Sequence, residues 1–224
     1  MIRRHLLRAI VLIPCLWNAA ALADDAIGGD MVVTKGMKPW EGCGECHDLD
    51  GVAPNGHFPN LAGQKSAYFR KQMDDFRDAR RTNDHGQMGV SSRETTGKTL
   101  GEVTAYFADL PAPPPQPAAG LSPQDIARAK RLVTDGDRGE KLPACVNCHG
   151  PNPKHDFVAP CLEAQQAKYL EKQLGDFRSG RRANDPEAVM RKLARRLSDD
   201  DVAVLSGYLA SLPRPKAAEC GETP

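Results

Sequence analysis

Tyr68–Asp84 reads YFRKQMDDFRDARRTND, and the pattern returns at Tyr169–Asp185 as YLEKQLGDFRSGRRAND. Ten of the 17 positions are identical, which chance similarity does not produce. Further outward, Pro59-x-Leu61 matches Pro160-x-Leu162, and Tyr106-Phe-Ala-Asp-Leu-Pro111 matches Tyr208-Leu-Ala-Ser-Leu-Pro213. A repeat of about 100 residues is too long for a solenoid module and suits a small domain. Between the copies, Pro111–Gly120 (PAPPPQPAAG) holds five prolines and no charge, the composition of a stiff, extended linker. The expected organisation is therefore one domain at 24–110, a linker at 111–120 and a second copy at 121–224.

Both copies read as helical. Phe69, Met73, Phe76 and Arg80 recur at helical spacing in the first copy, as do Leu170, Leu174 and Phe177 in the second. The closing segments put Leu100, Val103, Phe107 and Leu110, then Val202, Leu205, Leu209 and Leu212, on one stripe each. Ser122-Pro123 is a cap followed by proline at the first helical position, and it opens a helix over Asp125–Val133. Ser198 with Asp201 reads as the cap of the final helix. Ala26–Lys35 is broken by glycine and predicts only a short opening helix in the first copy. No alternating strand pattern is present, so the fold class is all-α.

Residues 1–23 read as a secretory signal peptide. Arg3, Arg4 and Arg8 precede an apolar stretch from Ala9 to Leu16, and Ala21-Leu22-Ala23 is a small-x-small cleavage site before Asp24. Cleavage leaves 201 residues with 27 basic and 29 acidic groups, and removes Cys15 from the seven cysteines. A near-neutral chain without a basic run is not built for nucleic acid. Aromatic residues are only 5% of the sequence, which is thin for the core of two domains.

Each copy contains one C-x-x-C-H: Cys43-Gly-Glu-Cys46-His47 and Cys145-Val-Asn-Cys148-His149. This is the attachment signature of c-type haem. Two thiols three positions apart on one helical turn each bond a vinyl group of the same porphyrin, and the next residue supplies an imidazole to the iron. A zinc site normally gathers its four ligands over a shorter span, whereas these pairs lie 102 residues apart, each with its own histidine. A thioredoxin-like dithiol needs a strand–helix context that is missing here. The second axial ligand emerges from comparing the copies. Met88 follows His47 by 41 residues, and Met190 follows His149 by 41, each in a stretch expected to be irregular. Met73 has Leu174 as its counterpart, so it reads as core filler. His57 and His85 have no matching histidine, and His155 lies in an unmatched insertion. Histidine–methionine ligation raises the reduction potential and leaves no open coordination position.

Other residues support this reading. The carbonyls of Pro59 and Pro160, 12 and 11 residues after the histidines, are placed to accept an imidazole N–H. Arg80, Arg81, Arg181 and Arg182 either pair with haem propionates or form solvated helix ends. Cys161 and Cys220 remain, and an oxidising compartment permits a disulfide between them. Cys161 as a thiolate ligand of a haem enzyme is the sharper alternative, although its place beside Pro160 puts it on the histidine side.

The mature chain resembles the dihaem cytochrome c4 family, two class I cytochrome c domains in tandem. The resemblance is carried by the two C-x-x-C-H motifs, Pro59-Asn-Leu-Ala-Gly-Gln64 with Tyr68, Asp75-Phe76-Arg77, the methionines and the Tyr106-Phe-Ala-Asp-Leu block. It implies two covalently bound haem c groups facing each other across the domain interface, with proximal ligands His47 and His149 and distal ligands Met88 and Met190. It implies a periplasmic electron carrier, compatible with peripheral membrane association, that serves redox protein partners such as a terminal oxidase, a reductase or a dehydrogenase. Similar haem proteins are the electron-accepting subunit of a flavocytochrome sulfide dehydrogenase and thiolate-ligated thiosulfate-oxidising enzymes. The second copy departs from the family pattern at Pro160-Cys-Leu-Glu-Ala-Gln165, which lacks the glycine before glutamine. Charge is also uneven: residues 24–110 carry 10 basic and 14 acidic groups, and 121–224 carry 17 and 15.

Overall fold

The computed structural model describes residues 36–153 and 157–216. Residues 1–23, expected to be a signal peptide, the opening segment at 26–35, Cys15, His155 and Cys220 lie outside the described residues. Among the described residues the chain is helical, with one isolated bridge between Asp137 and Leu142. The helices are α1 (Glu41–His47), α2 (Ser66–Arg77), α3 (Gln87–Glu94) and α4 (Gly97–Asp109), followed by α5 (Pro123–Thr134), α6 (Val146–His149), α7 (Ala167–Ser179), α8 (Val189–Ala194) and α9 (Asp199–Ser211). No helix among the described residues is long and apolar enough to cross a membrane.

Two separate hydrophobic clusters form. In the first, Phe69 and Met73 of α2 pack on Leu100, Val103 and Phe107 of α4. In the second, Ala129, Leu132 and Val133 of α5 and Leu170 of α7 pack on Val202, Leu205 and Leu209 of α9. These are the stripes that the periodicity predicts. Trp40 stacks on Tyr106 with ring centroids 4.4 Å apart, and the Tyr106 hydroxyl donates to the Leu49 carbonyl at 2.8 Å. A partly polar aromatic thus clamps the ends of α1 to α4 while keeping its hydroxyl satisfied.

Two helix starts follow the capping signals of the sequence. Ser122 caps α5 and Ser198 caps α9, and in each case Asp at the third helical position bonds back to the cap. These reciprocal bonds satisfy backbone donors that a helix cannot satisfy internally. Arg128 of α5 also reaches Asp201 of α9 at 2.7 Å, so this cap joins two helices. The proline-rich segment forms neither helix nor strand and is anchored: the Gln116 N–H donates to the Ala210 carbonyl at 2.9 Å. At the family departure, Gly63 and Ala164 occupy equivalent turns with φ of 64° and 49°. Ala164 is fully buried in a left-handed conformation that costs an alanine about 1–2 kcal/mol. The turn is kept because the Ala164 N–H donates to the Leu209 carbonyl at 3.1 Å, as the Gly63 N–H does to Phe107 at 2.9 Å.

Burial alone would raise the proton affinity of the Asp201 carboxyl, but the bonds from Ser198 and Arg128 outweigh it and hold the group below the usual range. A depressed folded value stabilises the protein above the unfolded value and loses that contribution as the pH falls through the folded one. Ser198→Ala is expected to cost about 1 kcal/mol in denaturant unfolding at neutral pH. The stability deficit of Asp201→Asn should be full above about pH 4 and close as the solution is acidified further.

Candidate haem site

The helical turn of α1 places Cys43 and Cys46 on one side and ends at His47. In the second copy Cys145 has helical backbone angles just before α6, which carries Cys148 and ends at His149. His47 Nδ1 lies 2.9 Å from the Pro59 carbonyl oxygen, and His149 Nδ1 lies 2.9 Å from that of Pro160. A carbonyl oxygen only accepts, so Nδ1 carries the proton in each ring and Nε2 keeps its lone pair for a metal. His47 is buried, and burial lowers its affinity for a second proton despite the Pro59 bond, so the ring stays neutral.

The two methionines sit in the first turns of short helices rather than in irregular loops. Met88 is in α3 and Met190 in α8. The shared Asp of the repeat supports both starts. Asp84 Oδ2 accepts from the Met88 N–H at 2.6 Å and the Gly89 N–H at 3.2 Å. Asp185 accepts from the Arg191 N–H at 2.9 Å and from Arg191 Nε at 2.7 Å. Two consecutive left-handed residues turn the chain into each helix: His85 and Gly86 before α3, Glu187 and Ala188 before α8. Only one of these four is a glycine, so the usual sequence mark of such a turn is nearly absent.

All eight residues expected from the sequence, Cys43, Cys46, His47, Met88, Cys145, Cys148, His149 and Met190, line one cavity of ≈ 540 Å³. Its walls include Phe69, Met73 and Phe76 from α2 and Leu170, Leu174 and Phe177 from α7. The thin aromatic content is thereby explained: the space left by the side chains is an apolar chamber that reaches both motifs. Burial pushes the Cys43 and Cys145 thiols up to about 11, and those of Cys46 and Cys148 are raised as well. Redox dithiols work through the opposite shift, toward the thiolate. Among the described residues no group of three or more His, Cys, Asp or Glu converges as a zinc site requires. Paired thiols on one turn, an imidazole with Nε2 open, a thioether and an apolar chamber are the donor set that a covalently tethered haem requires, so the residues fit the group.

Between the two motifs lies a network that the sequence reading did not identify. Arg81 stacks on Phe76 and Arg182 on Phe177, each 4.5 Å from the ring centroid. Arg81 donates to Gln72 of its own copy at 2.8 Å, and to the Tyr169 hydroxyl and Gln173 of the other copy at 3.0 Å each. Arg182 mirrors this with Gln173, the Tyr68 hydroxyl and Gln72. Asn83 donates to Asp176 at 2.7 Å and Asn184 to Asp75 at 2.6 Å. Of the four arginines, Arg80 and Arg181 are solvent-exposed and pair with Asp75 and Asp176, whereas Arg81 and Arg182 are buried in the interface. The signal was the repeat itself: Tyr, Gln, Asp, Arg and Asn recur at polar positions that a helix facing water does not constrain. Cys161 is buried and disulfide-bonded, with its partner outside the described residues. A sulfur held in a disulfide is not a thiolate, so Cys161 is not a thiolate ligand.

The family model for cytochrome c matches residues 126–213. Cytochrome c4 of Pseudomonas aeruginosa is 37% identical over 174 residues, 76% of this chain and 83% of that protein. A thiosulfate dehydrogenase electron acceptor of Stutzerimonas stutzeri is 37% identical over 173 residues, 76% of this chain and 78% of that protein. The crystal structure of reduced recombinant cytochrome c4 from Pseudomonas stutzeri superposes with a TM-score of 0.65 at 32% identity, covering 76% of this chain and 93% of that one. The chain therefore belongs to the cytochrome c4 family of electron carriers, with covalently bound haem c as its cofactor.

Proposed function

We propose that this protein carries single electrons between redox proteins in the periplasm, after removal of residues 1–23. In this reading residues 24–110 and 121–224 are two monohaem domains joined by 111–120. Cys43 and Cys46 tether one haem, with His47 and Met88 as axial ligands; Cys145 and Cys148 tether the other, with His149 and Met190. The observation that carries the reading is the doubled arrangement of an imidazole with its Nδ1 proton on a proline carbonyl and a methionine lining the same chamber.

Bound there, haem iron supplies a reversible one-electron couple. The chain's own residues set its conditions. Pro59 and Pro160 orient the imidazoles, and Asp84 and Asp185 hold the helix starts that carry the thioethers. Phe69, Phe76 and Phe177 exclude water, which favours the less charged reduced state. With His47 and Met88 holding one iron and His149 and Met190 the other, the protein would offer no position for a substrate and would transfer charge without bond chemistry.

A second reading is favoured by one finding: relatives of similar identity are thiosulfate dehydrogenase electron acceptors. In that case the donor is a dehydrogenase that binds this chain as its electron-accepting subunit. Native purification distinguishes the two, because a dedicated subunit leaves the column with its dehydrogenase and a shuttle leaves alone.

Met190→Ala should keep two haems per chain, remove about half of the far-red methionine-to-ferric-iron absorption, and lower one of the two reduction potentials. An unchanged spectrum would refute Met190 as a ligand. The opposite net charges of the two domains, −4 and +2, predict that electron transfer to a charged redox partner slows as salt rises. Stopped-flow rates that are flat across ionic strength would contradict that steering.

A further inference from the structure

The segments that follow the two haem histidines face each other across the interface, and each is gripped by a glutamine of the opposite copy. Gln64 accepts from the Cys161 N–H at 3.0 Å and donates through Nε2 to the Cys161 carbonyl at 3.0 Å. Gln165 does the same to Asn60, accepting from its N–H at 2.7 Å and donating to its carbonyl at 3.1 Å. Gln64, Gln165, Asn60 and Cys161 are all buried. In the register of the repeat, Gln64 is the counterpart of Gln165 and Asn60 that of Cys161, so the exchange is symmetric.

The gripped N–H belongs to the same peptide group that serves the haem histidine. The Pro59 carbonyl and the Asn60 N–H are two ends of one planar amide, as are the Pro160 carbonyl and the Cys161 N–H. A continuous chain therefore runs from His47 Nδ1–H to the Pro59 carbonyl, through the amide to the Asn60 N–H, and on to Gln165 Oε1 in the other copy. Its mirror runs from His149 through the Pro160–Cys161 amide to Gln64. An acceptor on the N–H of an amide polarises its carbonyl and strengthens the bond that the carbonyl accepts. A stronger bond from Nδ1–H makes the imidazole a more basic ligand, which favours the oxidised metal.

We propose that Gln64 and Gln165 are crossed positioning residues, each setting from one domain the donor strength of the axial histidine in the other. Gln64 acts on His149 and Gln165 on His47. The proposal rests on the axial-ligand assignment above. It makes the potential of each haem depend on docking of the opposite domain, through one planar peptide in each direction.

The test uses the full holoprotein and its Gln64→Met, Gln165→Met and Gln64→Glu variants. The two potentials are measured by redox titration, followed by NMR through the ligand-methionine methyl signals, assigned with Met88 and Met190 variants. Gln64→Met should raise the potential of the His149 haem and leave the other in place. Gln165→Met should do the reverse. The expected size is about threefold in the electron-exchange equilibrium between the haems, about 28 mV at 59 mV per tenfold. Gln64→Glu keeps an oxygen for the Cys161 N–H and should cancel the upward shift seen in Gln64→Met. Equal shifts in both haems, as a merely loosened interface would give, would overturn the proposal. So would a shift in the haem of the substituted domain, or no shift with both histidine–methionine signatures intact. A wild-type spectrum without those signatures would strike the ligand assignment itself, and the crossed relay with it.

Discussion

The hydrogen bond from His Nδ1 to a proline carbonyl, 2.9 Å long in both copies, is the constraint on which the site depends. Because the oxygen has no proton to give, the tautomer of the ring is decided by the backbone and not by the solvent. The bond also fixes the ring plane at the end of a short helix. α6 has only four residues and could not orient an imidazole by itself. The segments that carry Pro59 and Pro160 must then be stiff, and their stiffness comes from buried amide contacts made across the interface.

Interface and site are therefore one structure. Arg81 and Arg182 are charged groups placed where burial would be costly, yet each lies over an aromatic face and donates to a tyrosine and two glutamines. Asp75 and Asp176 close the network. Burial alone would raise their proton affinity, but Lys71 and Arg80 on one side and Lys172 and Arg181 on the other hold the carboxyls ionised and below the usual range. A two-domain electron carrier benefits from a fixed distance between its centres, and a satisfied polar network specifies a single docking geometry where an apolar patch would tolerate several.

Much of this was legible in the sequence because its signals are local. Ser122 and Ser198 announce their helices through capping chemistry, and the thiol spacing with its following histidine announces a haem in each copy. Met88 and Met190 stand out in the sequence by their equal spacing from the histidines, but their helical setting does not. It depends on Asp84 and Asp185 acting at a distance of several residues, and on left-handed turns at His85–Gly86 and Glu187–Ala188, of which only the first carries a glycine. The interface was hidden for a different reason. Helical periodicity reports which face of α2 or α7 is apolar, but it does not report that the polar residues beside that face meet a second copy of themselves. Only the repetition of Tyr68, Gln72 and Asp75 as Tyr169, Gln173 and Asp176 held that information.

The central claim is that two domains, each too poor in aromatic residues to fill its own core, are completed by a haem held between a histidine and a methionine. Low-temperature electron paramagnetic resonance with near-infrared magnetic circular dichroism of the oxidised holoprotein tests it directly. The account predicts two low-spin haems per chain, both with the histidine–methionine charge-transfer signature. One haem per chain, a five-coordinate high-spin signal or a thiolate signature at either centre would contradict it.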